Sequence, residues 1–196
     1  MARPDIKEAR REQILDAFEI CVARYGVEGA TLAKTAEQAE LARPLVRHNV
    51  GNRNDLIDAL TERFLQKSRT RMNSFLEMLP REHRSMKALE WLFDPHYSDA
   101  RLIKVSYALI THSYENEKLA AAMQGWLDDF IARLDSLLAE DFPNAEPSKV
   151  TAVATGITGI YFNVESLHGL GNNDSLLAAS KQSAVILLNS LGTARA

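Results

Sequence analysis

The 196-residue chain has a single cysteine, nine glycines, six prolines and 7% aromatic residues. Cys21 alone cannot close a disulfide within the chain, which fits a reducing compartment. Glycine and proline are too few for a low-complexity chain, and 46% apolar with 25% charged residues is an ordinary globular composition that argues against disorder. No apolar run reaches the length of a membrane span, and the N-terminus lacks the apolar stretch of a signal peptide, so a cytoplasmic protein is expected. Sustained alternation of β-branched residues is missing, which excludes a sheet-based fold. Gly-x-Ser-x-Gly and phosphate-cradling glycine loops are missing too, so neither an enzyme nor a bound cofactor is expected.

One further absence is local. Between residues 41 and 54 there are three arginines (Arg43, Arg47, Arg53), His48, Asn49 and Asn52, and no carboxylate. The whole chain carries a net charge of −3, but residues 1–71 hold 13 Lys+Arg against 11 Asp+Glu, and residues 72–196 hold 10 against 15. A basic N-terminal end on an acidic body suggests a polyanionic partner for that end.

What is present is helical periodicity throughout. A first helix is predicted over residues 5–25, with Ile14, Phe18, Cys21, Val22 and Tyr25 on one stripe and Gly26 as its stop. Thr31 suits the N-cap of a second helix over 32–39. A turn at 40–42 leads into a third helix, 43–50, with Pro44 in its first turn and Gly51 ending it. Asn52 then caps a long helix, and Asp55 three positions on completes a box-like arrangement. Beyond Pro80, helices are predicted over 85–93, 99–114, 117–140, 148–170 and 175–191. The expected fold is all-α, divided into an N-terminal three-helix domain (1–52), a connecting helix (53–79) and a larger helical bundle (80–196).

Two short helices joined by a tight turn, the second basic and free of acids, suit insertion into a major groove. Arg43 and Arg47 lie one turn apart and fit bidentate contact with guanine or phosphate. Asn49 suits adenine and Leu45 a thymine methyl, with Pro44 and His48 on or near the same face. Thr31 and Arg53 are natural phosphate ligands.

The segment 31–56, TLAKTAEQAELARPLVRHNVGNRNDL, resembles the helix-turn-helix of TetR-family transcriptional regulators. The resemblance covers residues 5–66: the long first helix ending at Tyr25-Gly26, the Gly29-Ala30-Thr31 start, the packing positions Ala36 and Ala39, the turn into Arg43-Pro44, and the exit from Val50 to Leu56. The chain departs from the family pattern at Glu40 (usually glycine), Ala42 (usually a capping serine), Thr35 (usually aliphatic), and Arg47 and Val50 (usually aromatic). The resemblance implies a homodimer on a near-palindromic DNA operator, acting as a ligand-responsive regulator and most often as a repressor. The last two helices would form the dimer interface. A small-molecule effector would lie among the central helices, where Trp91, Tyr107, His112, Trp126, Phe162 and His168 are candidate contacts.

Two other readings stay open. Glu165 and His168 form a Glu-x-x-His pair of the kind used in di-iron bundles, which would make the chain a helical metalloenzyme, although no second such pair exists. A helical interaction module that binds no DNA is the other, and it leaves the acid-free basic window without a purpose.

Overall fold

The computed structural model describes residues 6–167, 170–171 and 174–192. These residues form nine α-helices: α1 (Ile6–Gly29), α2 (Leu32–Gln38), α3 (Arg43–Val50), α4 (Arg53–Met78), α5 (Arg84–Leu92), α6 (Ala100–Ser113), α7 (Glu117–Asp141), α8 (Pro147–Ser166) and α9 (Asp174–Asn189). A short 3₁₀ turn, Pro95–Tyr97, follows α5. The all-α expectation holds, and α3 has its expected bounds. Helix α8 stops at Ser166, short of the expected residue 170.

The chain divides into two compact units, Met1–Arg69 with Ala100–Gln124, and Thr70–Asp99 with Gly125–Ala196. The boundaries expected at 52/53 and 79/80 follow chain order, whereas these units interleave. Helix α6 joins the N-terminal helices because its apolar face, Val105 and Leu109, is buried in the unit where α1 packs against α6.

In the first unit α1 also packs on α2 and α3. Its buried residues Ile14, Phe18, Cys21 and Val22 are the stripe read from the sequence. Two expectations for α1 need correction. Gly26, at φ 70° and ψ 173°, bends the helix, and one more turn follows to Gly29. Tyr25, expected on the buried stripe, is 42% exposed. In α4, Leu56, Leu60 and Phe64 are fully buried; each such side chain contributes about 1.5–3 kcal/mol by leaving water. Helices α1 and α4 are also tied ionically. Arg63 pairs with Glu12 and Asp16 and lies 3.6 Å from the buried Glu19, whose carboxylate accepts from Lys67 Nζ at 2.8 and 2.9 Å.

The second unit has one apolar core drawn from α5, α7, α8 and α9, with Leu89, Leu138, Ala154, Ile157, Ala184 and Leu188 at its centre. Gly156 lets α8 and α9 close together: a Cβ there would stand 3.1 Å from Leu187 Cδ1. Asp141, at the end of α7, holds the start of α5 by accepting from Ser85 N (2.7 Å) and Ser85 Oγ (2.6 Å).

Candidate nucleic-acid interface

Helix α3 is held from one side by a single buried residue. Val46 is inaccessible to solvent, while Arg43, Pro44, Leu45, Arg47 and His48 are all exposed. Asn49 and Val50 are half-buried on the same side, and the rest of this eight-residue helix faces outward. Its N-cap, Ala42, is extended and supplies no side-chain acceptor. The preceding turn passes through Glu40 at φ 55°, the left-handed region, where a side chain costs about 1 kcal/mol relative to glycine. Gln13 of α1 steadies this corner by donating to the Ala39 carbonyl at 2.8 Å.

The exit is locked by a reciprocal cap. Asn52 Oδ1 accepts from Asn54 N (2.7 Å) and Asp55 N (3.2 Å), and Asp55 Oδ2 accepts from Asn52 N (2.8 Å). Gly51 sits at φ 79°, and a Cβ there would overlap the Asp55 carboxylate. The box arrangement read from the sequence is therefore formed.

Sequence-predicted contacts differ in how free they are. Arg43 and Arg47 pair with no carboxylate among the described residues. Thr31 is the exposed N-cap of α2, its Oγ1 accepting from Lys34 N at 3.2 Å. The Asn49 amide is half-buried and donates to the Leu45 carbonyl at 2.8 Å, so bidentate pairing with adenine requires that bond to open. Arg53 is turned inward. Its Nη2 donates to the Val27 carbonyl at 2.7 Å and lies 3.1 Å from Glu28 Oε1. That same carboxylate oxygen is 3.0 Å from His112 Nδ1, so one acid joins the ends of α1, α4 and α6.

Thr35, at the position where an aliphatic residue was expected, is fully buried with its hydroxyl donating to the Thr31 carbonyl at 2.9 Å. A buried hydroxyl with a partner is tolerated. Beside it, burial pushes the Cys21 thiol above its ordinary value, which suits inert packing.

The sequence reading missed a cationic cluster at the start of α2. Lys34 Nζ lies 4.0 Å from the Tyr25 ring centroid and Arg24 Cζ lies 5.2 Å from it. A lysine three residues after an N-cap was a usable signal; its approach to the ring of Tyr25, nine positions earlier in the chain and on another helix, was not.

The expected effector contacts fall in different units. Tyr107 and His112, on α6, belong to the first, and His112 is engaged with Glu28 as above. Trp91, Trp126 and Phe162 belong to the second. There Trp126 and Phe162 meet at 5.2 Å between ring centroids, and Phe130 and Tyr161 extend the group. Trp91 instead stacks on Tyr97 at 5.0 Å. His168 lies outside the described residues. Glu165, its partner in the Glu-x-x-His pair, accepts from Ser98 Oγ at 3.2 Å.

This arrangement of helices has solved counterparts. The chain superposes with a TM-score of 0.77 on a TetR-family transcriptional regulator from Cytophaga hutchinsonii, at 13% identity, covering 96% of this chain and 98% of that one. The fold is that of the TetR family. No protein-family model matches the chain. In sequence the TetR-like chain is similar to two helix-turn-helix transcriptional regulators named BetI. One, from Paraburkholderia phymatum, is 30% identical over 66 residues, and the match spans only 34% of the length of each chain. The other, from Burkholderia cenocepacia, is 26% identical over 165 residues, 82% of each chain. The TetR resemblance read from residues 5–66 thus agrees with both comparisons. Among the described residues no helix is long and apolar enough to cross a membrane.

Proposed function

We propose that this TetR-like chain is a cytoplasmic transcriptional regulator that binds a near-palindromic DNA operator as a homodimer and acts as a repressor released by a small molecule. The observation that carries the reading is the state of the cations around α3. Arg43 and Arg47 stand exposed and unpaired on a short helix whose one fully buried residue is Val46, in a unit where Arg53, Arg63, Lys67 and Lys118 are all paired with acids. Unpaired guanidinium groups on a capped helix suit base edges and phosphates.

Arg43, Arg47, Leu45 and His48 would face the groove, with Pro44 setting the helix entry and Thr31 donating to phosphate. Asn49 would contribute once its bond to Leu45 opens. Arg53 would act chiefly by fixing the exit of α3, reaching phosphate only if Glu28 yields it. Each chain offers one reader, and two half-sites about 34–36 Å apart require two copies. Helices α8 and α9 are the proposed contact between copies: α9 exposes Ile186 at 60%, and α8 exposes the small residues Ala152, Thr155 and Gly159. The half-buried aromatic group of Trp126, Phe130, Tyr161 and Phe162 would receive an apolar or amphipathic effector, with Trp91 of the same unit as a further candidate. Binding would lower DNA affinity by favouring a different spacing of the two readers.

The test is selection of duplexes from a randomised pool by the purified protein, followed by gel-shift titration and sedimentation of the complex. An enriched sequence with two related halves, bound by two chains, is expected. Recovery of no sequence above background would end the DNA-binding reading.

A further inference from the structure

We infer that Arg24 and Lys34, held against the face of Tyr25, form a second DNA-backbone clamp outside the recognition helix. The inference rests on the DNA-binding reading and adds a site to it. Lys34 is in the first turn of α2, its amide donating to the Thr31 side chain, so it sits directly beside a proposed phosphate ligand. Its ammonium is 4.0 Å from the Tyr25 ring centroid, and the Arg24 guanidinium is 5.2 Å from the same centroid. Two cations that share one ring face a mutual repulsion. Elsewhere in this unit carboxylates relieve such crowding, as Glu12, Asp16 and Glu19 do around Arg63 and Lys67. Here, among the described residues, no acid pairs with either one. Glu37 is one turn further along α2 and Glu28 is taken by Arg53 and His112.

The ring therefore holds two charges in place without cancelling them. A cation over an aromatic face keeps its full charge and its outer hydrogen-bond donors while losing part of its rotamer freedom. That is the condition a phosphate ligand needs: charge retained and side-chain entropy already surrendered. The backbone makes room for it. At Gly29 a Cβ would stand 2.7 Å from Tyr25 Cβ, so a side chain there would force this corner to shift. Tyr25 is 42% exposed, and Arg24 and Lys34 are exposed, so the group is open to a large polyanion.

The experiment compares parent protein, Arg24→Gln/Lys34→Gln, Tyr25→Leu and Arg47→Ala on a duplex selected by the parent and on a scrambled duplex of equal length, across a salt series. Thermal melting of each variant verifies folding. The double variant is expected to lose affinity several-fold and about equally on both duplexes, with the slope of log affinity against log salt reduced by about 2, one per phosphate contact. Tyr25→Leu keeps both charges and is expected to weaken binding less while leaving that slope unchanged. Lys34→Arg should retain binding. An unchanged affinity and slope in the folded double variant, with Arg47→Ala still weakening the selected duplex, would overturn the clamp and leave the operator reading intact. A parent protein that binds neither duplex would overturn both.

Discussion

Helices α1–α3 and helix α4 use the same two basic residue types, arginine and lysine, to opposite ends. In α4 every cation near α1 is spoken for: Arg53 by Val27 and Glu28, Arg63 by three acids, Lys67 by Glu19. Around α2 and α3, Arg24, Lys34, Arg43 and Arg47 carry no ion pair among the described residues. Paired charges hold a scaffold together, and unpaired ones remain available to a ligand. The comparison predicts that mutations in the two sets separate stability from DNA binding.

The largest effect is expected at Arg63. Its side chain is 12% exposed and that of Glu19 only 7%, so Arg63→Ala leaves a buried carboxylate dependent on Lys67 alone. A loss of about 3 kcal/mol in denaturant unfolding is expected. Operator affinity measured well below the melting temperature should change little. A loss in binding comparable to that in folding would dissolve the distinction between the two sets.

Arg47→Ala should do the reverse. Operator affinity falls by about 1–3 kcal/mol if the side chain reads a base, with the melting temperature unchanged. If Arg47 touches only phosphate, binding weakens evenly on all sequences and the salt slope becomes shallower by about 1. Gel-shift titration on selected and scrambled duplexes distinguishes these.

A smaller gain is expected at the turn between α2 and α3. Glu40→Gly removes left-handed strain from a side-chain-bearing residue and an exposed carboxylate from beside the cationic face. Against the added freedom of glycine in the unfolded chain, net stabilisation of about 0.5 kcal/mol is expected, with slightly tighter DNA binding. Unfolding and gel-shift titrations both check it.

The smallest effect concerns a titrating cap. Glu146 caps α8 by accepting from the Ser148 hydroxyl, Ser148 N and Lys149 N, and these bonds hold its carboxyl below the ordinary value. Its contribution is complete above the unfolded value of about 4.3 and is lost as pH falls through the lower folded value. Glu146→Gln should flatten melting temperature against pH in that acidic window and leave neutral-pH melting nearly unchanged. Asn52, which caps α4, has no such titration.

Local signals made much of this legible. The extent of α3, the Asn52–Asp55 box and the buried stripe of α4 follow from periodicity and capping residues, which act within a turn or two. The departures at Glu40 and Ala42 were visible as letters, and the structure gives them physical form as a left-handed residue and an empty cap. What could not be read depends on partners distant in sequence. Arg53 looks like a phosphate ligand until Glu28 and the Val27 carbonyl, on another helix, are seen to hold it. Tyr25 fits the buried stripe by its spacing, yet it lies exposed beneath Lys34, a residue of another helix. Helix α6 joins the N-terminal unit because α1 offers it an apolar face, and chain order gives no hint of that.

The lock at Gly51 has a practical reach. Because the rod's terminus is dictated by backbone geometry and by the Asp55 carboxylate, its lettering can vary while its length stays fixed. A library randomised at positions 43, 45, 47 and 48, all exposed, with Val46 and Gly51 left alone, should yield folded proteins with altered sequence preference. The same chain is in that sense a cassette, rewritable where it meets the groove and rigid where the rod must stop.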